Sequence, residues 1–486
     1  TEILFAALAQ KLYPTEQIEE YWKKLLMGQF HDILPGSCIQ AVAESTQKDH
    51  QEILDGCQKL LKKLPLPKKK DAVTYINTLG TSFTGLLELP QGWQGVEGMS
   101  CQKSDNGRYL IDVCIPALET LVLKRRDDAA KKPSIPEKSG KHTMENQFFR
   151  CHFGPGGELK KLVHKKTQRE LLNRGNVLSL YADRPTNWDA WEIDEFYRQD
   201  KILELGEIAD ESTYTSGPLF QEISWTAKFG SSEIRQRIRL MNSLPMLIFD
   251  TDVDWRESHK MLRTVFETTM HHNARARFDI PYGWIQRPVH LENPWEKPFY
   301  EEPLQQWMDL STPEYGLALL NDAKYGGAIY DNVMEQTLLR APAHPDPQCD
   351  IGQHNFQYLL FYHPGDDFRE NRVQELAASL NRPAVMLPNI TCKKLPAPCR
   401  TEGGTATIQT IKRAENSLDW IVRIVETAGR ESDSSLVMQN AGSIPHECDL
   451  MEWTQGKTLQ KIADKKYRMR LHPFEIKTIR IPQTQE

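Results

Sequence analysis

The hydrophobic period of this 486-residue chain changes once, near residue 65, and that change limits its fold more than any other feature. Up to Leu64, apolar or small residues recur at helical spacing: Leu4, Leu8 and Leu12, then Ile18, Tyr21, Trp22, Leu25 and Leu26, then Ile39, Val42, Ala43, Ile53, Leu54, Leu60 and Leu61. Pro14 ends the first run, and Thr15 is placed to cap the second. Three helices with one apolar stripe each bury those stripes by packing as a bundle. From Asp71 the period is two, so the remainder of the chain is built from strands.

The first strands are short: Val73, Tyr75 and Ile76, then Leu86, Leu87 and Leu89, then Tyr109, Ile111 and Val113, then Leu121 and Leu123. Turns at Asn77–Gly80, Pro90–Gly92 and Asp105–Gly107 separate them, as expected of a small sandwich. Lys62–Lys70, rich in Lys and Pro, reads as the linker before it, and the charged stretch 125–143 as the linker after it. Strong alternating strands then recur at 148–153, 223–229, 234–240, 246–255, 420–426 and 469–481, with one short helix near 370–380. The expected fold class is α+β, mostly β. Its parts are a helical-bundle segment over 1–65, a small β-sandwich over 66–130, and a large β-sandwich over 131–486.

Between the second and third helices lies Gly28-Gln-Phe-His-Asp-Ile-Leu-Pro-Gly-Ser37. Pro35 and Gly36 break the pattern, and Ser37 with Gln40 has the spacing of a capping box. His31 and Asp32 therefore fall at a helix–helix corner, where rigid elements aim them. An imidazole beside a carboxylate suits a metal ligand and a partner that orients it or binds a hydroxyl; it equally suits a hydrogen-bonded structural pair. Trp188, Asp189 and Trp191 form an aromatic-acidic cluster. Indole faces pack on sugar C–H surfaces and a carboxylate accepts from two hydroxyls, but a packed Trp pair beside a turn is the alternative. Asn321-Asp322 reads as a β-turn, and His354 and His363 as structural strand histidines.

Charge and cysteine usage exclude some classes. A net charge of −6 argues against nucleic acid or an anionic membrane surface as partner, and no apolar run has the length of a membrane span. Nine scattered Cys without a C-x-x-C pair read as free thiols in a reducing compartment. The chain opens at Thr1 directly in a helical pattern, without a signal peptide, so the expectation is a processed product or a piece of a longer protein.

Gln29–Ser37 resembles the His-Asp motif of glycoside hydrolase family 38, the class II α-mannosidases. Arg184–Asp194, Glu314–Gly326, Asp350–Tyr358 and Pro473–Thr478 are similar to the cytosolic and bacterial branch of the same family, so the resemblance spans essentially the whole chain. It implies the C-terminal part of a retaining, zinc-dependent enzyme that removes terminal α-linked mannose from oligosaccharides or mannosyl solutes. His31 would be a zinc ligand, Asp32 would bind the sugar, and Trp188 and Asp189 would add to substrate binding. No paired carboxylates stand out in the chain. The resemblance places the nucleophile, the acid/base and the remaining ligands of the Zn2+ in an α/β barrel upstream of Thr1. It also implies a cytoplasmic protein whose sandwich packs on its own barrel, with a homo-oligomer compatible. In that compartment the Asn389-Ile-Thr391 glycosylation triplet has no role. The competing reading is a carbohydrate-binding or scaffolding β-sandwich without catalysis.

Overall fold

The structure, a computed structural model, describes residues 1–126, 142–210, 212–439 and 443–483. Most of the expected 125–143 linker lies outside the described residues. The helices are α1 (Glu2–Leu8), α2 (Thr15–Met27) and α3 (Gln40–Leu61). Lys24 pairs with Asp49 at 3.1 Å and with Glu52, which sets α2 and α3 antiparallel. Their close approach depends on Gly56: a Cβ there would meet the Tyr21 hydroxyl at 2.0 Å.

The three helices do not build a core of their own. Leu4 and Phe5 of α1, with Leu60 and Leu64, enter one cluster with Ile408, Val422 and Ile479 of the last β body. Only Ile18 of α2 and Gly56 and Leu60 of α3 are buried, so the expected bundle stripe stays largely open. Two capping expectations also fail. Thr15 is the first helical residue behind Pro14, and α3 begins only at Gln40 with Ile39 as its cap. Ser37 cannot cap α3 because its hydroxyl faces Asp32, 3.3 Å from Oδ1 and 3.5 Å from the carbonyl.

The mostly-β reading holds, with a different division of the sheets. Lys68–Ile76 pairs with Thr120–Lys124 on one side and with the distant Val385–Ile390 on the other. The small sandwich is therefore not closed within 66–130, and three lysines assigned to the linker begin its first strand. The second sheet, Phe83–Glu88, Tyr109–Ile115 and Gln102–Lys103, faces it over Tyr75, Ile111 and Val113.

Two nine-stranded antiparallel sheets come next. One is centred on Arg169–Ala182 and Lys260–Thr268, the other on Met246–Trp255 and Gly352–Pro364. Between them Trp225, Trp255, Phe249, Phe266 and Tyr358 are fully buried, each burial worth roughly 2–3 kcal/mol. A separate sandwich of four and five strands lies beyond residue 398. The expected single sandwich over 131–486 thus holds two bodies. The stretch 469–481 divides between the sheets of the second: Lys466–Leu471 and Ile476–Ile481 are separated at Pro473, which cannot continue a ladder. Helix α4 (Val373–Asn381) joins the bodies, its Ser379 hydroxyl accepting the Thr84 amide at 3.1 Å. No helix among the described residues is long and apolar enough to cross a membrane.

Asp279 lies next to the end of the strand Arg275–Ile280, and burial pushes its carboxyl from 3.8 up to about 7, against the opposing bond from the Gln306 amide. A carboxyl whose folded value is raised keeps its proton where the unfolded chain loses it. Stability therefore falls as pH rises from about 4 to 7, by roughly 4 kcal/mol from this group. Asp279→Asn should flatten that slope in urea unfolding measured across the same window; an unchanged slope would show that Asp279 does not carry it.

Candidate active-site corner

The corner after α2 is a series of tight turns. The Ile33 and Leu34 amides both donate to the Phe30 carbonyl, at 2.9 and 3.0 Å. Gly36 then takes φ +79°, a conformation that glycine adopts without strain. The turns leave His31 projecting: its side chain is 79% exposed, with Nε2 3.5 Å from Asp32 Oδ2, and its ring lies 4.3 Å from that of Phe30. Asp32 is half-buried. Its Oδ1 accepts from Ser37 Oγ at 3.3 Å and from Trp191 Nε1 at 3.4 Å, a residue 159 positions away.

Trp191 belongs to the loop 184–194, which leaves the strand Arg169–Ala182. Trp188 bends this loop by taking φ +54°, and its carbonyl accepts the amides of Trp191 at 2.8 Å and Glu192 at 3.0 Å. Arg340 pins the loop from beneath. Its guanidinium donates to Asp183 at 2.5 Å and to the carbonyls of Asp189 at 2.8 Å, Ala190 at 3.4 Å and Glu192. Asp183 is buried, and burial raises its carboxyl although Arg340 opposes the rise.

Asp189 turns away from the corner. Its Oδ2 accepts from the Ala343 amide at 2.8 Å, the His344 amide at 3.0 Å and the His259 ring at 3.0 Å. Burial alone would raise this carboxyl, but those three bonds together hold it below the usual carboxylate value. A third segment closes the arrangement, with Cys349 Sγ 3.6 Å from the Gly36 carbonyl.

The structure thus brings His31, Asp32 and the 184–194 loop into one place. Asp189 acts there as an internal tie, while Trp188 and Trp191 are 69% and 48% exposed. Trp191, rather than Asp189, touches Asp32. Arg340, His259 and Cys349 were not singled out from the sequence, where each is a solitary residue with no local pattern. Asn321 is buried and accepts the Lys324 amide at 2.8 Å, a turn as read. His363 is buried against Asp309 at 2.8 Å, and His354 contacts the Asp350 carbonyl at 2.7 Å. Among the described residues no group of three or more His, Cys, Asp or Glu is placed to hold a metal. Around the corner Trp22, Leu26, Met27, Phe30, Leu34 and Ile39 are all exposed.

Three family models match the chain in order. The alpha mannosidase middle domain covers residues 1–64, the glycosyl hydrolases family 38 C-terminal domain covers 144–348, and the family 38 C-terminal beta sandwich domain covers 405–479. The chain belongs to glycosyl hydrolase family 38. Family 38 relatives include alpha-mannosidase 2C1 of Mus musculus, 30% identical over 99% of this chain and 47% of its own length. The Homo sapiens alpha-mannosidase 2C1 is 29% identical over 98% of the chain and 46% of its own length. The chain spans about half the length of these curated relatives. The crystal structure of an alpha-mannosidase from Enterococcus faecalis V583 shares the fold, with a TM-score of 0.74 at 16% identity over 99% of this chain and 65% of that one. The middle-domain match contains the His31–Asp32 corner, and the C-terminal-domain match contains the loop that meets it.

Arg340→Ala leaves Asp183 buried and unpaired and frees three carbonyls, so it should cost roughly 3–5 kcal/mol. Amide exchange should accelerate across 184–194 before the rest of the sheet. Arg340→Lys should recover little, because one ammonium cannot span a carboxylate and three carbonyls. Unchanged exchange in that loop would contradict its being pinned by Arg340.

Proposed function

We propose that this chain supplies one wall of a retaining, zinc-dependent α-mannosidase active site, completed by a catalytic barrel of the kind its longer family 38 relatives have room for. The observation that carries the reading is the meeting of Asp32 and Trp191 beside a projecting imidazole, on an apolar surface left exposed among the described residues. A soluble domain seldom leaves so many large apolar side chains open unless another surface seats on them.

The donor set suits zinc in kind: a neutral imidazole nitrogen is a preferred ligand, and His31 Nε2 has only the long 3.5 Å approach to Asp32. His31 would hold the ion, with further ligands from the barrel. Bound zinc would act as a Lewis acid on adjacent sugar hydroxyls. Asp32 accepts hydroxyl hydrogens. Ser37 and Trp191 fix its orientation through Oδ1 and leave lone pairs for the sugar. A bond that tightens as the ring flattens toward an oxocarbenium-like state lowers the barrier, whereas one equally strong in the ground state does not. Trp188 and Trp191 offer indole faces to sugar C–H surfaces at the rim. Asp189, Arg340 and His259 position that rim. The nucleophile and the acid/base are assigned to the barrel, and the substrates to terminal α-mannosides of oligosaccharides or mannosyl solutes. Nine unpaired cysteines support a reducing, cytoplasmic setting.

The 486-residue chain alone should bind zinc weakly, since one imidazole does not make a four- or five-coordinate site. With the barrel present, His31→Ala should lose both metal and hydrolysis of an aryl α-mannoside. Asp32→Asn should keep the metal and lose about one to two decades in turnover, the worth of one charge-assisted hydrogen bond in the transition state. Full zinc and full activity in His31→Ala would remove the assignment. Tight glycan binding by this chain alone, with no hydrolysis in the barrel-containing protein, would favour the carbohydrate-binding scaffold instead.

A further inference from the structure

The 184–194 loop reaches Asp32 through Trp191, but three residues earlier it offers a second pair of rings, the indole of Trp188 and the imidazole of His259. His259 stands just before the strand Lys260–Thr268. Its amide donates to the Ala341 carbonyl at 2.8 Å and its carbonyl accepts the Asp183 amide at 2.9 Å, so its backbone is held from both sides. Trp188 and His259 both take left-handed backbone, at φ +54° and φ +51°. Bulky rings seldom adopt that conformation, and such residues gather at functional sites. Neither ring is spent on the core: Trp188 is 69% exposed and the His259 side chain 46%.

Asp189 decides which nitrogen of the imidazole carries hydrogen. Its Oδ2 already accepts the Ala343 and His344 amides, and its carboxyl is held below the usual carboxylate value, so at neutral pH it is ionised and can only accept. His259 Nε2, 3.0 Å from the same oxygen, is therefore the donor. In the neutral ring this leaves Nδ1 as an acceptor, and nothing among the described residues donates to it. A ring already oriented by a charged partner loses little freedom when a ligand arrives. A purely internal tie needs the Nε2 bond alone; it does not need an open Nδ1 next to the residue that follows an exposed indole.

A flat apolar face and a hydroxyl acceptor close together suit a pyranose, whose C–H surface packs on an indole while a hydroxyl donates to the imidazole. The terminal mannose is assigned to Asp32, which Trp191 touches at 3.4 Å. Trp188 lies one turn away on the same loop, its carbonyl accepting the Trp191 amide at 2.8 Å. The ligand within that reach is the next sugar of a chain, the one released on hydrolysis. Charge limits the choice further. The ionised group in contact with His259 is the Asp189 carboxylate, and the charge of Arg340 is spent on Asp183, so an acidic leaving group would meet like charge.

We infer that Trp188 and His259 form the subsite for the sugar next to the terminal mannose, the indole packing on its ring and His259 Nδ1 accepting one of its hydroxyls. The inference rests on the proposed mannosidase reading and narrows it: the substrates are neutral oligosaccharides rather than acidic mannosyl solutes. His259 determines specificity and takes no part in bond cleavage.

The test compares kcat/KM of the barrel-containing protein on α-linked mannobiose, an aryl α-mannoside and an α-mannoside of glycerate. His259→Gln is the informative variant, because the amide nitrogen of Gln can take the place of Nε2 and donate to Asp189 while the Nδ1 acceptor is lost. It should lower the ratio of mannobiose to aryl mannoside about three- to tenfold, the worth of one hydrogen bond, with the parent's melting temperature and its amide exchange across 184–194 retained. Trp188→Ala, which removes an exposed ring, should lower the same ratio. An unchanged ratio in either variant would overturn the inference. So would a fall in His259→Gln that comes with faster exchange across the loop, the mark of a structural tie, or a parent that prefers the glycerate mannoside. Hydrolysis of the aryl mannoside by the parent leaves the proposed function standing in each of these cases; a parent that hydrolyses none of the three substrates would overturn both.

Discussion

Everything around the candidate site hangs on the guanidinium of Arg340. It faces the buried Asp183 carboxylate and three carbonyls of the 184–194 loop at once. A loop that bends through a left-handed tryptophan and exposes two indoles has few apolar contacts to hold it. Charge-assisted hydrogen bonds in a partly desolvated pocket substitute for that missing core. The tie from Asp189 to Ala343, His344 and His259 fixes the same loop from its other end. With both ties in place Trp191 reaches Asp32, 159 residues earlier in the chain.

This arrangement explains which parts of the protein were legible in its sequence. The helices and the strongest strands were, because periodicity is local; Met246–Trp255 and Trp420–Glu426 have the bounds their alternation implies. The His31–Asp32 corner was legible as well, because Pro35 and Gly36 mark it and the residues themselves resemble a known motif. What failed was long-range. Ser37 has the spacing of a cap, yet a tertiary bond to Asp32 claims its hydroxyl. Val385–Ile390 completes the small sandwich from more than 300 positions away, and no local pattern announces a partner at that distance. Pro473 divides what alternation alone read as a single strand. Asp189 was recognised as notable, but its spacing could not say whether its carboxylate faces a ligand or the protein's own amides.

The helical segment shows the same division between local and global causes. Its stripes are apolar enough for a bundle, yet α1 is drawn into the last sandwich, and α2 and α3 are left half-covered. The exposed Trp22, Leu26, Met27 and Phe30 lead directly to His31. Burying such a surface against a barrel would set the imidazole and Asp32 at the seam between two bodies, a usual place for a ligand cleft. In this account the β-sandwiches do more than support the helices: their loops supply the aromatic rim of the seam.

The central claim is that His31 and Asp32 form one wall of a zinc-centred mannoside site. Its most direct test is a crystal structure of the barrel-containing protein with an α-mannoside analogue, with anomalous scattering measured on both sides of the zinc edge. The account predicts one zinc peak about 2.0–2.1 Å from a ring nitrogen of His31, with the Asp32 carboxylate on a hydroxyl of the sugar. A zinc peak bound elsewhere, with His31 still turned to solvent and the sugar away from Asp32, would contradict it.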